Sequence, residues 1–244
     1  MRLPLPPDDP TDAGPMYHSR LYERFVDLLP VVTYASLLWC VSVYFLIKSG
    51  SSNHVNVEKL VHLLGATSHA DLADGRWWAL VGSAFIHMEL FHLGFNMYWL
   101  VRLGSLMERG LGSLKTLAFI IAAAFVSSAL QLAIGGAAGI GFSGVVYAMI
   151  GFMWGAWPRY TGFLESMNGR TVRFFLIWQG VCFLLTWGRI LPVANTAHIS
   201  GMVFGLLAGL WACKGTKGGW YWLAACLAMT VMATGLVVLV THPH

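Results

Sequence analysis

Apolar residues fall into seven runs separated by polar stretches: roughly Leu29 to Ile47, Ala84 to Leu106, Thr116 to Ile134, Gly139 to Trp157, Val172 to Trp187, Ala194 to Cys213 and Trp220 to Val240. A bilayer core of about 30 Å takes about 20 apolar residues per helix, so these runs read as membrane spans. The pattern predicts an all-α polytopic membrane protein. The longest connection, Lys48 to Ser83, exceeds a turn and is expected to hold structure of its own. Within it, Leu60, Val61, Leu63 and Leu64 with Trp77 and Trp78 suggest a segment resting in the membrane interface, where ordinary anchoring explains the tryptophans equally well. From Tyr17 to Leu28, apolar residues recur at helical spacing among charges. A helix lying on the inner surface and a simple extension of the first span both fit that spacing.

Composition agrees with this division, since 57% of the 244 residues are hydrophobic and 11% charged. Soluble domains carry about 25% charged residues. Charge also sets an orientation, because cytoplasmic loops hold the excess of Lys and Arg. With the N-terminus inside, eleven of the 15 basic residues lie on that side; only Lys48, Lys59, Arg76 and Arg189 lie opposite. Seven spans then leave the C-terminus outside. Topology thus explains the net charge of +4, with no call for nucleic acid. Residues 1–15 hold five prolines and three aspartates, a composition expected to be disordered. No apolar run follows the basic start, as a signal peptide requires. Cys40, Cys182, Cys213 and Cys226 show no metal-ligand spacing and read as apolar thiols.

Polar side chains inside spans usually face the bundle interior and mark function. Three such sites stand out. The second run holds His87, His92 and Asn96; positions 92 and 96 share one helix face, where they serve either as helix-helix glue or as a site. Metal binding by His87 and His92 is disfavoured, because a five-residue offset separates them around a helix. In the fourth run Ser143 is bracketed by Gly141 and Gly144, which permit close approach and unusual dihedrals. Tyr147 lies one turn below, either a core aromatic or packed on the partner of the serine. The sixth run holds His198, followed by Gly201, Gly205 and Gly209, a small-residue face suited to the Gly151 and Gly155 face of the fourth run.

In this reading spans two, four and six run in the same direction. Ser143 and His198 then each fall about four residues, roughly 6 Å, below the outer start of their span. Serine needs a base to become nucleophilic, and imidazole is the usual one. The only acid after Glu108 is Glu165, on the inner side. The expectation is therefore a Ser143–His198 dyad, with Tyr147 stacking on the ring. Asn96, His92 and the Ser143 backbone N–H are candidate donors to a tetrahedral oxyanion.

These residues resemble the rhomboid family of intramembrane serine proteases. The matching stretches run from Phe85 to Asn96 (with His87, His92 and Asn96), from Gly141 to Ala148, and from Ala197 to Gly201. Met107 to Ser113 also resembles the family's junction between spans two and three. The resemblance covers about residues 30 to 212. It implies a rhomboid-like six-helix catalytic core over 29–213, to which 214–244 adds one C-terminal transmembrane helix, with 1–28 a cytoplasmic, partly disordered segment. It further implies cleavage of transmembrane protein substrates near their outer ends, with no metal or cofactor, and membrane lipid as the surroundings. Ser143 would be nucleophile, His198 base, and His92 and Asn96 oxyanion donors, supported by Tyr147, Gly141 and His87. The loop reads Trp77-Trp78-Ala79 where the family commonly has Trp-Arg. A pseudoenzyme that binds transmembrane clients without cutting them is the alternative. A seven-helix transporter is a further one, though the halves show no internal repeat. A bacterial inner membrane is the expected location.

Overall fold

The computed structural model describes residues 5–9, 12, 29–52, 56–136, 139–214 and 219–241. The interfacial helix considered for Tyr17 to Leu28 lies outside these residues. The chain is an all-α polytopic membrane protein. Among the described residues its α-helices are, in order, α1 (Val31–Ser52), α2 (Val57–Leu64), α3 (His69–Ala73), α4 (Ala79–Gly82), α5 (Leu90–Trp99), α6 (Ser105–Leu111), α7 (Ser113–Gly135), α8 (Ser143–Ala156), α9 (Gly169–Trp187), α10 (Asn195–Lys214) and α11 (Trp220–Thr241). A π-helical turn, Leu100–Gly104, joins α5 to α6 in one helix.

Among the described residues, α1, α7, α10 and α11 are each long and apolar enough to cross a membrane. The seven runs do not become seven equal spans, and two departures matter. The second run was expected to be helical from Ala84, yet its helix starts at Leu90, after an extended Ile86 and an extended Glu89. His87 therefore sits in a bent segment ahead of the helix. The fourth run was expected to be helical from Gly139, yet α8 starts at Ser143. Gly141 explains the late start, since its φ of +107° lies outside helical space and favours glycine. With 14 residues, α8 rises about 21 Å, well short of a bilayer core. Ser143 is thus the first residue of a short helix rather than four residues into a long one.

Between helices in lipid, close packing replaces the hydrophobic effect as the driving term. The α8–α10 contact displays this in steps of four residues. A side chain at Gly201, Gly205 or Gly209 would overlap the backbone carbonyl of Gly144, Ala148 or Phe152, respectively. In return, a side chain at Gly151 or Gly155 would collide with the backbone of α10 at Met202 or Leu206. The pairing anticipated from the two glycine faces is the central contact of the fold. It sets Ser143 and His198, near the same ends of the two helices, side by side.

Two polar clusters tie the outer parts to this centre. Buried Glu108 accepts the backbone N–H groups of Val32 and Thr33, both at 2.9 Å, and the Thr33 hydroxyl at 2.8 Å. Its carboxylate thus satisfies the first turn of α1, where negative charge is favoured. In the long loop, Asp71 forms a capping box with Ser68 and also binds Arg76 and His62. The basic partner lies one residue ahead of Trp77. Burial resists ionisation of Asp71, but hydrogen bonds from Ser68, His62 and Arg76 outweigh it and hold the carboxyl below its usual range. Next to this cluster, α2 packs apolar side chains against Val43, Ile47 and Ile86, and Ile140 joins that group. The loop thereby braces the segment leading into Ser143.

The remaining helix, α11, packs on α10, α7 and α3. Part of the proline- and aspartate-rich start, expected to be disordered, is placed against α9. Asp8 pairs with Arg173 at 2.7 Å, and the Pro7 carbonyl accepts the Gly169 N–H at 3.2 Å.

Candidate active site

Ser143 opens α8, and His198 lies on the first turn of α10. His198 Nε2 and Ser143 Oγ are 2.8 Å apart, a hydrogen bond that the serine O–H donates when Nε2 is unprotonated. His198 is buried and Ser143 half-buried. The Tyr147 ring lies parallel to the imidazole, 4.3 Å between centroids and 8° between planes. Phe175 of α9 meets the tyrosine edge-on at 5.4 Å. The imidazole is thus confined from the side by an apolar stack, which limits its rotation.

The segment before Ser143 is held from three directions. The Gly141 N–H donates to the Ser83 carbonyl at 3.1 Å. One residue on, the Phe142 N–H donates to His87 Nε2 at 3.3 Å. The His92 ring occupies the space a side chain at Gly141 would need. Glycine is required there twice over, by its positive φ and by this contact.

His87 is wholly buried, and its two nitrogens have separate tasks. Nδ1 faces the Phe85 carbonyl at 3.4 Å, so it carries the proton. Nε2 takes the Phe142 N–H and the Asn96 amide nitrogen at 3.2 Å, both donors, so it carries the lone pair. His92 and Asn96 do share a helix face, as expected, and both converge on this histidine. The rings of His87 and His92 are 5.1 Å apart, which corrects the expectation that the pair is split around one helix. His87 comes close because it precedes the helix. The Asn96 carbonyl oxygen is buried without a partner among the described residues.

Three polar residues that the sequence did not single out complete the surroundings. Gln131 of α7 accepts the Ala197 N–H at 3.1 Å and so satisfies an unpaired donor in the first turn of α10. Gln179 of α9 lies with its oxygen 3.2 Å from His198 Nδ1. Asn195 receives the Gln179 amide at 2.8 Å. Their only signal in the sequence was an amide within or beside an apolar run, the criterion that singled out Asn96.

The family model of the rhomboid domain matches residues 74–215, more than half of the chain. The chain belongs to the rhomboid family. Every residue of the constellation above lies within the match, while α1 and α11 fall outside it. Among individual proteins, this rhomboid is 37% identical over 134 residues to the rhomboid protease GlpG of Yersinia pseudotuberculosis serotype I (strain IP32953), covering 55% of this chain and 48% of that one. The rhomboid protease GlpG of Serratia proteamaculans (strain 568) is 34% identical over the same length. The chain spans about half the length of the curated relatives it matches.

Proposed function

We propose that this rhomboid is an intramembrane serine endopeptidase that hydrolyses peptide bonds in or near transmembrane segments of membrane-protein substrates. The observation that carries the reading is the 2.8 Å contact between His198 Nε2 and Ser143 Oγ, at the start of a helix too short to span the bilayer. Its relatives named as rhomboid proteases support the same chemistry.

In the proposed reaction His198 Nε2 takes the Ser143 proton as Oγ bonds to the scissile carbonyl carbon. The carbonyl oxygen becomes an oxyanion. Donors preset around it are usually the largest catalytic term. The Ser143 N–H at the start of α8, the second amide hydrogen of Asn96 and the His92 ring N–H are the proposed donors. The positive end of the helix dipole favours charge at that position. His198 then returns the proton to the leaving amine, and the C–N bond breaks. In the second half, His198 takes a proton from water, whose oxygen attacks the acyl carbon. The proton returns to Oγ as the acid product leaves. The scheme uses no metal or cofactor.

The proposal places the catalytic domain over 29–213, with 214–244 as the additional transmembrane helix and tail. The protein is integral to the membrane. A bacterial inner membrane with the N-terminus cytoplasmic and the C-terminus outside agrees with the distribution of basic residues.

The test is labelling of the purified protein in detergent with a fluorophosphonate probe, beside cleavage of a transmembrane peptide in vesicles. Wild type is expected to label and cleave, and Ser143→Ala and His198→Ala to do neither while keeping their melting points. Equal labelling of Ser143→Ala would overturn the assignment. Absence of both reactions in folded wild type would favour the client-binding pseudoenzyme.

A further inference from the structure

We propose that Gln179 is a positioning residue for His198: its side-chain carbonyl receives the Nδ1 proton and thereby fixes the tautomer whose Nε2 lone pair faces Ser143. The inference rests on the reading of Ser143 and His198 as the reacting pair, and deepens it.

At the far end of a hydrogen-bond chain the donor and acceptor roles are forced. Asn195 Nδ2 lies 3.3 Å from the Val193 carbonyl and 2.8 Å from Thr186 Oγ1. A carbonyl only accepts, and the Thr186 hydroxyl gives its own proton to the Cys182 carbonyl at 3.0 Å. This end of the Asn195 amide must therefore be the donor. Its other end, Oδ1, then faces Gln179 at 2.8 Å and can only accept. Gln179 must present its NH2 group there, which leaves its oxygen toward His198. That oxygen sits 3.2 Å from Nδ1 and again can only accept, so Nδ1 carries the proton. Nε2 is left with the lone pair, 2.8 Å from the serine hydroxyl. Backbone carbonyls of α9 and of the α9–α10 connection thus set the protonation pattern of the imidazole through two amides.

An amide within a membrane-embedded helix is costly unless both ends are bonded. Helix-helix glue between α9 and α10 would need only the bond between Gln179 and Asn195. It does not account for an oxygen aimed at Nδ1. Gln179 is neutral, as its surroundings favour, since a charge within the membrane is costly. Tyr147 fixes the plane of the ring by stacking, and Gln179 its proton.

The test uses the full chain in detergent, with histidine labelled by nitrogen-15, and reads both tautomer and rate. Wild type is expected to show His198 with its proton on Nδ1. In Gln179→Leu that preference is lost, and the turnover rate falls about 10- to 100-fold with KM little changed. A protonated glutamate offers the same acceptor and donor as glutamine. Gln179→Glu keeps an acceptor oxygen at Nδ1 whether its acid is protonated or ionised, and is therefore expected to hold the Nδ1–H tautomer and recover most of the rate lost in Gln179→Leu. A merely structural role would not move the tautomer. An Nε2–H tautomer in wild type, or an unchanged rate and nitrogen spectrum in folded Gln179→Leu, would overturn the proposal. If wild type fails to react with the probe at all, the reading of Ser143 falls, while the nitrogen spectrum still decides whether Gln179 sets the tautomer.

Discussion

His87 holds the backbone of Phe142. Its Nε2 accepts the Phe142 N–H at 3.3 Å, one residue before Ser143, while the same nitrogen receives Asn96. A side chain ahead of α5 thereby sets the entry of α8, and the serine inherits its position from that bond.

His87→Leu leaves the buried Phe142 N–H without its acceptor and frees Asn96. The expected loss is about 1 to 3 kcal/mol of stability, with a fall in probe-labelling rate of about 10-fold or more. His87→Gln, which offers an acceptor oxygen, is expected to recover part of the rate. Paired melting and labelling measurements check both.

Two substitutions separate the ring of Tyr147 from its hydroxyl, which is buried with no partner among the described residues. Tyr147→Phe keeps the stack on His198 and is expected to hold its rate within a few-fold. Tyr147→Ala removes the stack, worth about 0.5 to 1.5 kcal/mol beyond burial, or up to about tenfold in rate. Equal rates for wild type and Tyr147→Ala would return this residue to the core.

Packing of α8 on α10 predicts a contrast between glycines. A side chain at Gly205 meets the Ala148 carbonyl, a backbone atom that cannot step aside. Gly205→Ala is expected to cost about 1 to 3 kcal/mol or more. At Gly180 on α9 a side chain meets nothing within 4 Å. Gly180→Ala is expected to be neutral or stabilising by up to about 1 kcal/mol through helix propensity. Detergent melting of the two variants gives the comparison.

Asp71 makes loop stability depend on pH. Its carboxyl is depressed in the folded state, so its contribution is complete above the unfolded value of about 3.9 and is lost as pH falls below that toward the folded value. Wild type is expected to lose melting temperature on acidification through that range. Asp71→Asn should start lower at neutral pH and show a shallower acid dependence. Parallel slopes for the two proteins would contradict the assignment.

From the chain alone came the all-α membrane architecture, the seven apolar runs, the facing glycine surfaces, and the short list that includes Ser143, His198, His92 and Asn96. These features are local or periodic, and a polar group in an apolar run is conspicuous because lipid offers it no partner. The start of α8 was not legible, because glycine permits a helix as well as a break. Only the carbonyl of Ser83 and the ring of His92 around Gly141 decide which occurs. Nor was the role of His87, whose residue spacing suggested a helix position although the helix starts only at Leu90. Gln179 and Asn195 escaped notice because single amides become informative only when their partners are known. Tertiary structure supplied those partners: hydrogen bonds join particular atoms across distant segments, and their direction follows from which carbonyl stands at the end of the chain.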